Sequence, residues 1–227
     1  MIEKKVLKNS SYFATLSEKN LDKIVNLMFV REYKEGEIIF FEEEKGEGLF
    51  FIKSGKVKIA KIVESGEEQI LHILKQGEIF AEVVLFDGSN YPATAIAMED
   101  SQIGILRNKD IERLITEVPE IALKILKVMS KRLRRAQQTI RNLGLKNTES
   151  RTASILLYLA KEHGIDGKNR NQVEINLSLS QQELSNLVGA SRETISRVLK
   201  KLKEKDLIAT SRQQIVIKDL LGLKRII

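Results

Sequence analysis

Residues 180–204, SQQELSNLVGASRETISRVLKKLKE, contain the most informative pattern in this chain of 227 residues. Ser180 and Glu183 have the spacing of a capping box, in which each side chain accepts a hydrogen bond from the other residue's backbone N–H. Gly189 tolerates the left-handed backbone of a short turn, and Ser185 provides a small side chain where two helices cross closely. The segment therefore predicts two helices joined by a turn at residues 189–191, which is a helix-turn-helix.

The second helix of this pair is predicted to carry polar side chains on its outer face, because its apolar positions 195 and 198 turn inward. In a helix-turn-helix, the first turns of this helix contact base edges in the major groove. An arginine can bind the O6 and N7 atoms of guanine, and a glutamate can accept from the cytosine amino group. The alternative is a lookalike with a purely structural role. The candidate DNA contacts are Gln181, Ser191, Arg192, Glu193, Ser196 and Arg197.

The flanking segments favour a winged helix. An amphipathic helix is predicted at residues 148–162, before the pair. After the pair, two short apolar runs at residues 207–210 and 214–217 enclose a polar turn, which predicts a two-stranded wing. Arg212 lies in that turn and is a further candidate contact, to DNA phosphate, where it would position the domain without specifying sequence.

Upstream, one long helix is predicted to begin near Pro119, since proline is tolerated in a first helical turn. Apolar residues then recur at steps of three and four, the near-heptad spacing of a coiled coil; they are Ala122, Ile125, Met129, Leu133, Ala136, Ile140 and Leu143. We expect this seam to join two copies of the chain, while Ile121, Leu126 and Val128 pack on the preceding domain. The alternative is an ordinary amphipathic helix buried on its own domain. Gly144 is expected to end the helix.

Residues 38–106 show strand signals punctuated by glycine. The apolar or β-branched runs are residues 38–41, 49–53, 57–63, 69–74, 79–81, 94–97 and 103–106. They predict a compact antiparallel sandwich or barrel. Residues 54–56 and 64–67 are predicted hairpin turns, because Gly55 and Gly66 supply the positive φ that tight turns need.

Charge divides the chain into two halves. Residues 1–118 contain 16 Lys and Arg against 21 Asp and Glu, whereas residues 119–227 contain 22 against 10. A basic half joined to an acidic one indicates a nucleic-acid-binding module, because cations that displace phosphate counterions supply much of the affinity for DNA. A solvated basic surface is the alternative.

Composition excludes several classes of site. The absence of Cys excludes disulfides, thiol nucleophiles, Cys-ligated zinc and thiolate-held iron–sulfur clusters. His72 and His163 are too few for a three-histidine metal site. We therefore expect no enzyme, no catalytic residue, no metal and no cofactor. Residues 1–8 lack the apolar core of a signal peptide and no run of 18 apolar residues occurs, so we expect a cytoplasmic protein without membrane contact.

Together these patterns predict an α+β chain with three parts: a β domain at residues 1–118, a dimerisation helix at 119–144, and a winged-helix DNA-binding domain at 145–227. In this order the whole chain resembles the CRP/FNR superfamily of bacterial transcription regulators. The resemblance implies that residues 1–118 are an effector-sensing β-roll, the jelly roll of cyclic-nucleotide-binding domains. Residues 77–86, GEIFAEVVLF, are similar to the phosphate cassette of that family, and Pro119 matches the start of its dimer helix. Residues 191–199, SRETISRVL, resemble its recognition helix.

The resemblance implies a homodimer that binds promoter DNA, with RNA polymerase as a further partner and activation as the commoner outcome. Arg192, Glu193 and Arg197 match residues that select G, C and G of a TGTGA-like half-site in the cyclic-AMP branch. Glu193, Ser196 and Arg197 also match the branch that selects TTGA-like half-sites. We expect a palindrome with TGA in each arm and about 34 Å between half-site centres.

The resemblance stops at the cyclic-nucleotide contacts. The family's Arg-Ser pair, which holds the cyclic phosphate, follows the cassette glutamate by ten and eleven residues; counted from Glu82, these places hold Pro92 and Ala93. We therefore expect no binding of cyclic AMP. The family's adenine-contacting Thr-Ser pair is likewise replaced, so another small molecule, or none, is the expected effector. Glu82 has either a structural or a ligand-binding role. The candidate pocket residues are Glu82, Tyr91, Ala93, Ala136 and Gln137.

Two other classes of function are alternatives. One is a ligand-binding or scaffolding module whose basic C-terminal domain is incidental. The other is a cupin-like enzyme, because small β-barrels can host metal chemistry, although the cluster of histidine and carboxylate ligands that such chemistry requires is missing from the sequence.

Overall fold

The computed structural model describes residues 4–10, 12–167, 171–211 and 213–227. The chain forms two compact units, residues 1–134 and 135–227, and the division falls inside the longest helix. The predicted sequence of a β domain, a long helix and a helix-turn-helix domain is confirmed.

The first unit contains two four-stranded antiparallel sheets, ordered β1-β8-β3-β6 and β2-β7-β4-β5. The strands are β1 (Phe29–Tyr33), β2 (Ile38–Phe40), β3 (Gly48–Ser54), β4 (Lys56–Ile62), β5 (Glu68–Lys75), β6 (Ile79–Phe80), β7 (Thr94–Ala97) and β8 (Ser101–Arg107). The helices are α1 (Lys4–Lys8), α2 (Glu18–Leu27), α3 (Val83–Asp87), α4 (Asn108–Glu117) and the first part of α5 (Glu120–Leu145). The predicted runs correspond to β2–β8, whereas β1 was not predicted.

An aromatic cluster fills the space between the two sheets. The ring of Tyr91 stacks on Phe40 with centroids 3.7 Å apart, and Phe50 stacks on Phe80 at 5.1 Å. All four rings are buried. Because large rings bury extensive apolar area, this cluster stabilises the packing of the two sheets.

Helices cover a second core on the outside of the roll. Buried residues of α1, α2, α4 and α5 pack there with residues of the strands; examples are Leu7, Leu21, Ile111 and Ile121. The helices α1, α2 and α4 were not predicted from the sequence. A signal for α2 was present, since Ser17 caps it by accepting a hydrogen bond from the Asn20 N–H at 3.3 Å.

The predicted hairpin at residues 54–56 is wrong. β3 pairs with β6 and β8, while β4 pairs with β5 and β7, so the chain passes from one sheet to the other at Gly55. Gly55 has φ of 92°, which turns the backbone sharply enough for this change of sheet. The hairpin predicted at residues 64–67 does join β4 and β5, with Gly66 at φ of 83°.

Two residues of α5 lie on a different face of the helix from the one predicted. Ile125, predicted to lie on the seam, is 1% exposed and belongs to the core of the first unit. Leu126, predicted to pack on the preceding domain, is 50% exposed. Ile125 is buried instead of Leu126 because Ile121, Ile125 and Val128 recur at steps of four and three. This spacing places the three residues on one face of the helix, which is the buried one.

With Leu126 in place of Ile125, the stripe has a regular alternation of four and three. Ala122 and Met129 are half-buried, whereas Leu126, Leu133, Ala136 and Ile140 are exposed. The side chain of Leu143, the last seam residue, lies outside what the structure describes. Gly144 does not end the helix, which continues to Leu145.

The second unit contains the rest of α5, four further helices and a four-stranded sheet. These elements are α6 (Thr148–His163), β9 (Gly164–Asp166), β10 (Val173–Ile175), α7 (Gln181–Val188), α8 (Arg192–Glu204), β11 (Ile208–Ser211), β12 (Gln214–Ile217) and α9 (Leu220–Lys224). The strand order is β11-β12-β10-β9, and all pairs are antiparallel. The predicted wing, β11 and β12, is therefore half of a larger sheet.

Among the described residues, no helix combines the length and the apolar character that a membrane crossing requires.

Replacement of Gly55 by alanine is expected to destabilise the first unit more than replacement of Gly36. Both residues have positive φ, 92° and 82°. A Cβ added at Gly55 would lie 2.0 Å from Ser101 Oγ, whereas one added at Gly36 would meet no atom within 4 Å. Gly36→Ala is expected to cost about 1–2 kcal/mol, the left-handed penalty alone. Gly55→Ala adds a steric cost of about 1–3 kcal/mol. Equal losses in urea denaturation would contradict the steric argument.

Candidate functional site

The turn between α7 and α8 has the geometry predicted from its sequence. The Ser180 hydroxyl accepts from the Glu183 N–H at 3.1 Å, and the Glu183 carboxylate accepts from the Ser180 N–H at 2.8 Å, which completes the capping box. Gly189 has φ of 70°, and its N–H donates to the Ser185 carbonyl at 2.9 Å. Ser185 is 1% exposed, in keeping with a small side chain at a close helix contact. These local contacts fix the start of α7 and the turn that joins it to α8.

The polar residues of α8 share a solvent-exposed face. Ser191 caps the helix by accepting from the Thr194 N–H at 3.3 Å, while Ile195, Leu199 and Leu202 are buried. Among the predicted contacts, the exposed residues on this helix and its cap are Ser191, Arg192, Glu193, Ser196 and Arg197. The apolar anchors thus fix which side of α8 faces outward.

Glu193 is held in its acceptor form. Hydrogen bonds from its own backbone N–H and from the Ser191 hydroxyl lower the pKa of its carboxyl below the ordinary value, with smaller contributions from Arg192 and Arg197. An ionised carboxylate accepts hydrogen bonds only, as contact with a cytosine amino group requires.

A cleft of about 450 Å³ runs between α8 and the wing. It brings together three of the predicted contacts, Gln181, Ser196 and Arg197. Arg212 lies outside the described residues, but its neighbours Ser211 and Gln213 line the cleft.

Lys200 and Lys203, which the sequence analysis did not single out, line the same cleft. Lys200 follows Arg197 by three residues, a spacing that could have indicated that the two are neighbours on the helix surface.

Two ion pairs fasten α8 to α6. The Glu149 carboxylate accepts hydrogen bonds from the Lys201 and Lys205 ammonium groups, the latter at 2.9 Å. These two hydrogen bonds, from Lys201 first, lower the pKa of the Glu149 carboxyl below its ordinary value. The C-terminal half of α8 is thereby tied to the unit, while its N-terminal half presents the exposed polar face.

In the first unit, the predicted pocket residue Glu82 forms an ion pair with Arg132. One guanidinium nitrogen of Arg132 donates to both carboxylate oxygens of Glu82, at 2.6 and 2.5 Å, and the other donates to the Ile79 carbonyl at 2.6 Å. The Glu82 side chain is 3% exposed. Arg132 was not predicted as a partner of Glu82, although it follows Val128 by four residues and so continues the buried face of α5.

Two other predicted pocket residues lie in the interior of the roll. Tyr91 and Ala93 are 2% and 3% exposed. The Tyr91 hydroxyl accepts from the Glu47 N–H at 2.8 Å, and burial raises the pKa of this phenol. Ala136 and Gln137 are exposed residues of the second unit. The effector role of these residues stays a prediction.

Removal of Arg132 is expected to destabilise the first unit strongly. Arg132→Met leaves the buried Glu82 carboxylate without a cation, and breaking a buried pair in this way costs about 3–5 kcal/mol. The double variant Glu82→Gln/Arg132→Met removes both charges and is expected to recover part of the loss. Arg134→Met, at an exposed position, is the matched control in urea denaturation. Equal stability of the two single variants would show that the pair contributes nothing.

Two family models match the chain. The cyclic nucleotide-binding domain matches residues 30–117, and the Crp-like helix-turn-helix domain matches residues 150–226. Together they span more than two thirds of the chain, and their order is that of the two compact units.

Curated relatives are transcription regulators. The transcriptional regulatory protein btr of Bordetella pertussis is 30% identical over 149 residues, which are 64% of this chain and 61% of that protein. The cyclic AMP receptor protein of Thermus thermophilus is 29% identical over 202 residues, 89% of each chain. The chain spans 61%, 54% and 55% of btr and two further relatives, both transcriptional activators.

Solved structures share the fold. The structure of a CooA mutant from Carboxydothermus hydrogenoformans matches with a TM-score of 0.77 and 24% identity, over 89% of this chain and 88% of that one. The architecture, the two matched domains and the related regulators agree with the motifs in the cassette and the recognition helix. The chain belongs to the CRP/FNR superfamily of transcription regulators.

Proposed function

We propose that the protein is a homodimeric transcription regulator that binds a palindromic DNA site with TGA in each arm. The observation that carries this proposal is the exposed set Arg192, Glu193, Ser196 and Arg197 on the first turns of α8, in a domain matched by the Crp-like helix-turn-helix model. The protein acts as a regulator and catalyses no reaction. Its place of action is the cytoplasm, where promoter DNA and RNA polymerase, its further proposed partner, are found.

The side chains on α8 divide between base and phosphate contacts. Arg197 offers a planar pair of donors that fits guanine O6 and N7, and the ionised Glu193 fits a cytosine amino group. Lys200 and Lys203, further along the cleft, are suited to phosphate because an ammonium group binds it as a point charge. Contacts to bases select the sequence, while contacts to phosphate set the position of the domain.

Homodimerisation is supported by the stripe on α5. Leu133 and Ile140 are 62% and 69% exposed, and with Leu126 they recur every seven residues, the heptad spacing that packs two helices side by side. Apolar side chains repeated in this way on a solvent-facing helix mark an interaction surface. A second copy of the same helix offers the complementary stripe, and two-fold symmetry matches a palindromic site.

An effector other than cyclic AMP, or none, is part of the proposal. Pro92 and Ala93 offer neither a cation nor a hydroxyl for a cyclic phosphate, since one has a bare ring and the other a methyl group. The Glu82 carboxylate is already occupied by Arg132. These side chains therefore do not replace the Arg-Ser pair that binds the cyclic phosphate in the cyclic-AMP branch.

Arg197→Ala is expected to weaken binding to the selected palindrome by about 1–3 kcal/mol and to relax selection at one guanine. The site is first isolated from a random pool with the purified protein, and affinities are then measured on it, on point variants and on random duplexes. Lys203→Ala is the matched control, expected to weaken all duplexes equally because it removes a phosphate contact. An equal loss for Arg197→Ala on selected and random duplexes would reject the assigned role. Failure to enrich any site would reject sequence-specific binding.

Leu133→Glu is expected to convert the dimer to a monomer, because it places two carboxylates opposite each other in an apolar seam. Light scattering coupled to gel filtration measures the mass. Leu123→Glu is the control, since Leu123 is 59% exposed on α5 but lies off the stripe. A wild-type protein that is monomeric at micromolar concentration would refute the homodimer.

Calorimetric titration with cyclic AMP is expected to give no binding in the micromolar range, because the phosphate-holding pair is absent. Saturable binding at micromolar cyclic AMP would overturn this part of the proposal.

A further inference from the structure

Four cations line one face of α5 within the first unit. Lys124, Lys127, Lys131 and Arg134 recur at steps of three, four and three, so they lie in one row along the helix. At 1.5 Å per residue the row is about 15 Å long. By helical geometry it lies on the opposite side of the helix axis from Leu126 and Leu133, so a second copy packed on that stripe would leave the row open.

The row forms one wall of a groove. Tyr12, Val128 and Ser130 complete the lining, and the cavity volume is about 560 Å³. Val128 is 5% exposed and packs in the apolar core of the unit. The floor of the groove is therefore held in place by this core. Clefts of roughly 300–1,000 Å³ are the size of small-molecule sites.

Among the described residues, the ion pairs of α5 include Arg132 with Glu82, but none joins a carboxylate to Lys124, Lys127, Lys131 or Arg134. Like charges three and four residues apart repel and destabilise a helix. A multiply charged anion that spans the row would relieve this repulsion.

The anion that fits this groove is a short, elongated molecule and not a DNA duplex. The cavity volume of about 560 Å³ and the 15 Å row, estimated at about 1.5 Å per residue, match a small molecule, not an extended polyanion such as DNA. An oligophosphate fits the site because it concentrates several charges within the length of the row. Its oxygens accept from the ammonium and guanidinium donors.

We propose that this groove binds the oligophosphate chain of a small molecule, in the chemical class of nucleoside triphosphates and inorganic triphosphate. The proposal is independent of the DNA function assigned above. Lys127 and Lys131, both exposed and adjacent in the middle of the row, carry the central contacts. Tyr12 forms part of the wall and also packs against the apolar core.

The test is calorimetric titration of the full chain with sodium tripolyphosphate, ATP and orthophosphate at about 0.15 M ionic strength, where surface attraction is screened. Lys127→Gln/Lys131→Gln is expected to weaken tripolyphosphate binding roughly tenfold or more, because two charge-assisted hydrogen bonds are lost. Lys19→Gln/Lys109→Gln is the matched control: both lysines are exposed on helices of the same unit, outside the groove, and the net charge changes equally. Circular dichroism verifies that each variant is folded.

Binding of tripolyphosphate that is much tighter than that of orthophosphate, and that only the groove variant loses, supports the proposal. Tighter binding of ATP than of tripolyphosphate assigns a role to the base. An equal loss in both double variants, unchanged affinity in the groove variant, or no binding at millimolar tripolyphosphate overturns it. If the groove variant instead weakens only duplex DNA, the row serves DNA and the proposal is wrong. Enrichment of a palindrome by the same samples separates this result from the regulator function.

Discussion

Burial of Ile121, Ile125 and Val128 in the core of the first unit fixes the rotation of α5 about its own axis. Every other face of the helix follows from this setting, because side chains on a helix keep a fixed angular spacing. Arg132 lies one turn after Val128 on the buried face, where it contacts Glu82. A helix rotated by one residue would replace Ile125 by Leu126 in the core and carry Arg132 away from its carboxylate. The apolar packing and the ion pair therefore specify the same arrangement.

Sequence alone predicted the features whose chemistry is local. The capping box at Ser180 and Glu183, and the left-handed turn at Gly189, depend on residues within one turn of each other, so their pattern suffices. The strands were similarly marked by short apolar runs between glycines. The exposed face of α8 could be predicted because its inward positions, Ile195 and Val198, have helical spacing; Ile195 is buried and Val198 is half-buried.

Most of the features that were missed depend on contacts distant in sequence. Ile125 and Leu126 both fit an apolar stripe, and only the core contributed by α1, α2 and α4 decides which is buried. The turn at Gly55 looks like a hairpin until the partners of β3 and β4 are known. The pair of Glu82 and Arg132 spans 50 residues, and no local pattern records it. The position of Lys200 and Lys203 beside the wing could not be predicted either, because it depends on how the sheet packs against α8.

The exposed face of α8 has a consequence for how such a protein changes over evolutionary time. Arg192, Glu193, Ser196 and Arg197 are exposed, and both the cap and the apolar anchors of α8 are other residues. Substitutions at surface positions without a structural role usually alter the free energy of unfolding by less than about 0.5 kcal/mol. The residues suited to recognise bases can therefore vary while the scaffold is conserved. Duplicated copies of such a gene are free to diverge in target preference, one side chain at a time, without losing a folded product.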